Sequence, residues 1–362
     1  MPLTPPSLLV LTSIHAGAGA FSFSELTQRA SDRLHVQPLK LAADTLSIPS
    51  RLVSADINVP SVLNKLGSPS LCFVHKINHH DDSRFDGFAM AVLASVTRLK
   101  LSGTKIILSY CDNLASLNDP RGFLYKDLLV LADFVVFPCN SLRGLVSKWL
   151  PADTKSFVIE DPWSLRLQSY PSYDISQPFR IAWFGDVLNV KYLLDQLPAL
   201  ISSGTVCSSY EFHVVTKAKA FGLIKNVFKS SMKVSSRPWK LFLHEWDSSK
   251  QPKQLENVLG SSHTVWIPSD PNDCLKAGVS HNRLVDSVRS GCIPIASKMA
   301  SYVELSRVSI LRNTCDGILD HVALDFNRLS GKHSSLREEC LSRFSPEVSL
   351  QKWTSLLHEL AL

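Results

Sequence analysis

The sequence predicts an α/β protein with two domains, each built on a parallel sheet and facing the other across a cleft. Short, nearly continuous apolar runs alternate with longer helical patterns along the 362 residues. This alternation is typical of parallel sheets that are covered by helices on both faces. It stops over residues 164–180, which are rich in Ser, Tyr and Pro, and then starts again. The break therefore predicts a linker between two similar halves.

The first half has five apolar runs that we interpret as strands. They lie at residues 8–13, 71–75, 105–110, 133–138 and 156–160. Helices are predicted at 85–103 and 125–132. In the first of these helices apolar residues recur every three or four positions, and Gly103 stands at its end, as expected for a helix C-terminus.

The second half repeats this arrangement. Its predicted strands are 180–186, 211–217, 239–246, 263–269 and 293–297, and its helices are 190–204, 281–291 and an amphipathic segment at 348–360. We therefore predict Rossmann-like domains at 1–170 and 178–345, followed by a C-terminal helix at 346–362. Ligands of such open sheets bind beyond the carboxyl ends of the strands, so the candidate site residues are sought there.

Composition and charge indicate which kinds of ligand the protein is expected to bind. The net charge is +6, but no run of Lys or Arg and no basic stripe with interleaved aromatics is present, which disfavours nucleic-acid binding. An anionic small molecule or a substrate at a membrane surface fits this charge, so a peripheral membrane contact stays open. None of the eight cysteines forms a CxxC pair, and most lie in or beside apolar strands. We expect reduced cysteines and a cytoplasmic protein. The apolar run at 8–13 is interpreted as the first strand rather than a signal peptide.

The stretch HNRLVDSVRSGCIPIAS, residues 281–297, carries the strongest site prediction. Ser280 is a good N-cap for the helix that follows, so backbone N–H groups at its start point into the preceding loop. Such donors favour a phosphate, and Lys276 and Arg283 add full positive charges. Asp286 lies one turn from Asn282, where its carboxylate can accept bonds from two ribose hydroxyls. The predicted nucleotide-binding residues of this stretch and of the loop before it are Lys276, Ser280, His281, Asn282, Arg283 and Asp286.

Other candidates follow predicted strands. Gly185 allows a ligand to approach the backbone at a strand-to-helix turn, although an ordinary glycine turn would look the same. In the first half, His15, His75, Lys76 and Asp112 follow three strands, and we predict them on the acceptor side of an active site. Asp112 orients an acceptor hydroxyl, acts as a base, or caps the next turn; these alternatives stay open.

Two further site types are disfavoured. The segment HAGAG after the first strand is not a GxGxxG motif, so a dinucleotide-dependent dehydrogenase is not predicted. Residues 79–82 read HHDD, but adjacent side chains rarely all reach one ion, and we predict no metal site.

The order of these segments resembles the GT-B glycosyltransferases, especially glycosyltransferase family 4 and related bacterial polysaccharide transferases. DSVRSGCIPI takes the place of the family's donor-binding helix and strand. The segments that carry the resemblance are 103–113, 125–146, 158–163, 183–189, 286–295 and 301–305. It implies a metal-independent, retaining, hexosyltransferase-type enzyme with no cofactor. A nucleoside-diphosphate sugar would be its co-substrate, and a hydroxyl on a glycan, lipid-linked or small molecule its acceptor.

The sequence departs from the family at one position. Family 4 carries two Glu residues with seven residues between them; Asp286 matches the second, but Gly278 stands at the first. Asp270 or Asp273 in the same loop could substitute. Two alternatives therefore remain: an enzyme like the nucleotide-sugar 2-epimerases, and a non-catalytic protein that binds a nucleotide or a glycan.

Overall fold

The computed structural model describes residues 6–13, 23, 32–55, 69–78, 82–313 and 317–361. The chain divides into two compact units. Unit 1 comprises residues 1–162, 273–280 and 343–362, and unit 2 comprises 163–272 and 281–342. Each unit contains a six-stranded sheet formed by described residues, which confirms the predicted class of two parallel-sheet domains.

The strands and helices are numbered in chain order. The strands are β1 (Leu8–Thr12), β2 (Ser50–Ser54), β3 (Leu71–His75), β4 (Lys105–Ser109), β5 (Phe134–Phe137), β6 (Lys155–Val158), β7 (Phe179–Phe184), β8 (Tyr210–Thr216), β9 (Trp239–Glu245), β10 (Thr264–Ile267), β11 (Ile293–Ala296) and β12 (Ile310–Leu311). The α-helices are α1 (Gln37–Thr45), α2 (Phe85–Leu101), α3 (Pro120–Leu131), α4 (Asn140–Val146), α5 (Val190–Ser203), α6 (Phe221–Ser231), α7 (Lys253–Gly260), α8 (Asn282–Arg289), α9 (Ile318–Leu324), α10 (Phe326–Leu341) and α11 (Pro346–Ala361).

The sheet of unit 1 has the order β2-β1-β3-β4-β5-β6, with all neighbouring strands parallel. β1 pairs with β2 on one side and with β3 on the other. The order in which strands are added to the sheet therefore reverses between β1 and β3. All five residues of β1 and of β3 are buried, because helices cover both faces. One of these faces packs Leu39 of α1 together with Trp353 and Leu357 of α11.

The sheet of unit 2 has the order β12-β11-β10-β7-β8-β9, again with parallel neighbours. From β7 at the centre, β8 and β9 follow on one side of the sheet. The next three strands along the chain, β10, β11 and β12, follow one another on the other side. This is the order of dinucleotide-binding doubly wound sheets, whose ligands bind where the direction reverses. In unit 2 that switch point lies between the carboxyl ends of β7 and β10.

Among the described residues, no helix combines the length and the apolar character that crossing a bilayer demands.

Candidate functional site

Gly185 lies at the switch point of unit 2, directly after β7. Its N–H donates to Val215 O at 3.2 Å, and Thr216 Oγ1 donates to its carbonyl at 2.9 Å. These two bonds fix the turn against β8. A Cβ at this position would lie 3.2–3.3 Å from ring carbons of Trp183, which is closer than ordinary contact. The absence of a side chain therefore keeps the backbone accessible at this strand end.

Arg283 reaches the same turn from α8. Its Nη1 lies 3.6 Å from the position that a Cβ on Gly185 would occupy. This nitrogen is buried and has no hydrogen-bond partner among the described residues. Ser269 follows β10, the other strand of the switch point, and its buried hydroxyl also has no partner there. A guanidinium is always charged, and a buried donor without an acceptor is costly, so the arrangement suits an anionic ligand.

The start of α8 differs from the prediction. Asn282 is its first residue and His281 precedes it, whereas Ser280 was predicted as the cap. The Ser280 hydroxyl instead donates to the Asp161 carboxylate within unit 1. The Asn282 side chain accepts from the Arg283 N–H at 2.7 Å, and the ring of His281, which is buried, donates through Nε2 to Ser301 O at 2.8 Å. The first turn of α8 is thus fixed by Asn282 and His281, which holds the Arg283 backbone in place.

Asp286 lies one turn further along α8 and is almost completely buried. Its Oδ1 accepts from the Ser164 N–H at 2.9 Å, and its Oδ2 accepts from the Ser164 hydroxyl at 2.7 Å. The carboxylate therefore ties the first residues of unit 2 to α8. The ribose contact stays a prediction.

The segment 273–280 belongs to unit 1, where Asn113 Nδ2 donates to Cys274 O at 2.9 Å. Lys276 is half-buried in this segment, and its backbone N–H donates to Asp273 O at 2.8 Å. Gly278 has a φ of +76°, and a Cβ on it would lie 2.8 Å from the Cα and Cβ of Leu142. Both the left-handed backbone and the contact exclude a side chain. The backbone at position 278 therefore does not accommodate a glutamate in this conformation.

At the carboxyl edge of the unit 1 sheet, three predicted acceptor-side residues lie at the ends of β3 and β4. His75 is fully buried, with Nδ1 3.0 Å from Ser109 Oγ and Nε2 3.4 Å from Asp32 Oδ1. Lys76 has a φ of +40°, and its Nζ lies 3.6 Å from Asp112 Oδ2. Lys76 and Asp112 are both partly exposed. A strained backbone next to an accessible ion pair is a feature of many functional sites.

Some predicted positions lie outside the described residues. They are His15, together with His79, His80 and Asp81. Among the residues that are described, no group of His, Cys, Asp and Glu side chains has the geometry to hold a metal ion.

Sequence reasoning missed a second polar group at this edge, formed by His35, Cys111 and Asp161. His35 Nε2 lies 2.8 Å from Asp161 Oδ1 and 3.6 Å from Cys111 Sγ. Burial by itself lowers the pKa of His35, but the charges and hydrogen bonds of Cys111 and Asp161 outweigh it and raise that pKa well above its ordinary value. Burial by itself raises the pKa of Cys111, but the charge and hydrogen bond of His35 outweigh it and lower the pKa to about 6.

This group also connects to His75. Ser109 Oγ lies 3.0 Å from His75 Nδ1 and 3.4 Å from His35 Nδ1. The hydroxyl thus links both imidazoles into one buried network that ends at the half-buried Cys111 thiol. The sequence feature that could have pointed to this network is Cys111. It follows the apolar run 105–110 directly, at the end of the strand, where a side chain lies beyond the sheet rather than in the core.

Similar architectures occur in proteins of known structure. HepE of Anabaena, in complex with UDP and glucose, matches with a TM-score of 0.64 at 13% identity, over 98% of this chain and 100% of that chain. Sucrose-phosphate synthase of Thermosynechococcus elongatus matches with 0.67 at 11% identity, over 98% and 99%. A glycosyltransferase of Rickettsia africae matches with 0.59 at 12% identity, over 98% of both chains. Neither a protein-family model nor a curated protein sequence matches the chain.

These likenesses extend over almost the whole chain and show that it has the GT-B fold of those proteins. At such low identity they concern the fold alone. Activity has to be argued from the side chains themselves.

Proposed function

We propose that the protein is a glycosyltransferase that moves a sugar from a nucleoside-diphosphate sugar to a hydroxyl group. The observation that carries the proposal is Arg283 Nη1, a buried cationic donor with no partner among the described residues, aimed at Gly185. Both residues lie at the switch point of a sheet whose strand order is that of nucleotide-binding sheets. A diphosphate would supply the missing acceptor.

Sugar transfer requires that the departing diphosphate is stabilised while the acceptor hydroxyl attacks the anomeric carbon of the sugar. Fixed donors with positive charge lower the energy of this developing charge without any reorganisation. In unit 2, Arg283 and the N-terminus of α8 fulfil this role. We infer a metal-independent reaction on this basis. We also propose retention of configuration and a hexosyl donor, and the resemblance of the sequence to family 4 supports both.

For the nucleoside, Asp286 is the residue that we assign to the ribose. HepE was determined in complex with UDP and with UDP-glucose, so uridine nucleotides are the first donors to test. The acceptor side is assigned to His15, His75, Lys76 and Asp112, of which Lys76 and Asp112 form a partly exposed ion pair. The acceptor is a glycan, lipid-linked or small-molecule hydroxyl. We also infer a cytoplasmic location, in line with the reduced cysteines that the sequence predicts.

The proposal is tested by incubating the protein with UDP-, GDP- and ADP-sugars and an acceptor library. Nucleoside diphosphate release and the mass of the products are measured. We expect transfer with one donor and a loss of at least about tenfold in kcat/KM for Arg283→Gln, as for other charge-assisted contacts to phosphate. Arg307→Gln is the matched control, because this exposed arginine pairs with Glu339 on the surface.

Two other outcomes would replace the proposal. Conversion of the donor to an epimer with no acceptor present would assign the chain to the 2-epimerase-like enzymes. Tight nucleotide binding without turnover over the whole library would make it a binding protein, the alternative that the glycine at position 278 motivates.

A further inference from the structure

Helix α6 of unit 2 carries an unbalanced positive charge. No Asp or Glu occurs between Glu211 and Glu245, while this stretch contains six lysines and one arginine. Lys225 and Lys229 lie on α6 one turn apart, and Lys219 and Lys233 lie in the 3-10 turns at its two ends. All four are exposed, and none forms an ion pair within the part of the chain that the structure describes.

The orientation of α6 explains why these charges share one side. Ile224 and Phe228 are buried in the core of unit 2, and in a helix residues three and four apart lie on one face. Lys225 and Lys229 therefore point away from the sheet. The neighbouring helix α5 contributes one acidic residue, Asp195, and one basic residue, Lys191, so it does not neutralise the lysines.

Exposed aliphatic side chains accompany the lysines. Leu223 on α6 is 55% exposed and Val234, next to Lys233, is 69% exposed. Side chains of this kind enter the boundary between headgroups and acyl chains when a basic helix lies on a bilayer. A single-stranded nucleic acid would favour exposed aromatic rings for stacking, but Phe221 is half-buried and Phe228 is buried. Charge and apolar character together thus match an anionic lipid surface better than a nucleic acid.

We propose that the surface formed by Lys219, Leu223, Lys225, Lys229, Lys233 and Val234 docks unit 2 onto anionic membranes. The lysines bind the headgroup phosphates, and Leu223 and Val234 enter the interface. This goes beyond the proposed activity and does not depend on it, because the binding of vesicles is measured without a sugar donor or an acceptor. Catalysis at a membrane surface would give such an enzyme direct access to lipid-linked acceptors.

Co-sedimentation with vesicles tests the proposal. The full-length protein should bind vesicles of equal parts phosphatidylcholine and phosphatidylglycerol, and not vesicles of phosphatidylcholine alone. The double variant Lys225→Glu/Lys229→Glu should lower the partition coefficient by roughly 25-fold or more, since each basic residue near such a surface contributes about fivefold. Lys298→Glu/Lys332→Glu is the control, because it changes the net charge of unit 2 equally at other exposed positions.

A third variant separates insertion from charge. Leu223→Ser/Val234→Ser should still bind the anionic vesicles at low salt. As the salt concentration rises, it should dissociate earlier than the wild type, because salt screens the attraction of the lysines and only the wild type keeps the apolar contacts. Circular dichroism confirms that each variant is folded. The proposal is overturned if the wild-type protein does not bind the anionic vesicles. It is equally overturned if Lys225→Glu/Lys229→Glu binds them as tightly as the control Lys298→Glu/Lys332→Glu. It is also overturned if single-stranded RNA at equal phosphate concentration binds more tightly and loses that binding in Lys225→Glu/Lys229→Glu.

Discussion

Arg283 Nη1 lies 3.6 Å from the place where a Cβ on Gly185 would be, although the two residues are far apart in the sequence. β7 brings Gly185 to the switch point, and α8 brings Arg283 to the same turn. The side chain that Gly185 lacks leaves space beside a buried cation, and this relationship underlies the proposed diphosphate site.

Gly185→Ala should weaken the binding of UDP by roughly tenfold, which corresponds to about 1.4 kcal/mol. The added methyl group would lie 3.2 Å from the Trp183 ring and beside the Arg283 guanidinium, so it occupies the space that a phosphate needs. Isothermal titration calorimetry measures the change. The control is Gly331→Ala in α10, where a Cβ meets nothing within 4 Å. Wild-type affinity in Gly185→Ala would show that the ligand does not approach this turn.

A glutamate at position 278 should destabilise the protein. Gly278→Glu places a side chain on a left-handed backbone, 2.8 Å from the Cα and Cβ of Leu142. We expect a loss of at least about 2 kcal/mol in the free energy of unfolding, from backbone strain and overpacking. Urea denaturation measures it. Gly144→Glu, at an open position of α4 in the same unit, should leave stability nearly unchanged. A fully stable Gly278→Glu protein would contradict this steric argument.

Asp286 should have two separable roles. Asp286→Ala removes the acceptor of both Ser164 hydrogen bonds and should lower the free energy of unfolding by about 1.5–3 kcal/mol, as for other bonds to charged groups. If the carboxylate also binds ribose, the variant loses affinity for UDP but retains affinity for inorganic pyrophosphate. Calorimetry compares the two ligands. Ser164→Ala, which removes only the hydroxyl, should bind UDP like the wild type. Unchanged UDP affinity in Asp286→Ala would exclude the ribose role.

Cys111 should react with iodoacetamide at an unusually low pH. Since His35 lowers the pKa of its thiol to about 6, the reactive thiolate is present above that pH and is lost as the pH falls below it. Peptide mass spectrometry should therefore give a rate profile with a midpoint near pH 6. His35→Ala should shift the midpoint upward by at least one pH unit, whereas His321→Ala, at an exposed histidine, should not. A profile that is the same in wild type and His35→Ala would mean that the two groups are not coupled.

The sequence predicted most of the strands because buried parallel strands leave a clear apolar signal. β1 and β3 were found within one residue of their ends, as was the start of α2. β2 was missed because SRLVS mixes polar and apolar residues, and β12 was missed because it contains only two residues. Helix α6 was also missed, since four flanking and internal lysines obscure its short apolar stripe.

The candidate site was predictable to the extent that it is local in sequence. Arg283, Asn282 and Asp286 share one helix, so motif order and helical spacing were sufficient to propose them together. The network of His35, Cys111 and Asp161 joins three separate elements of unit 1, and no spacing within one sequence could pair them. The packing of Gly278 against Leu142 is likewise a tertiary contact, which the sequence alone could not predict.

The most direct measurement is a calorimetric titration of UDP, GDP and ADP into the wild type, Arg283→Gln and Arg307→Gln. We predict that one nucleoside diphosphate binds the wild type and Arg307→Gln alike, and binds Arg283→Gln at least about tenfold more weakly, since a charge-assisted hydrogen bond to phosphate is lost. Equal affinity of all three proteins for that ligand, or no binding of any of them to the wild type, would contradict a diphosphate site at Arg283.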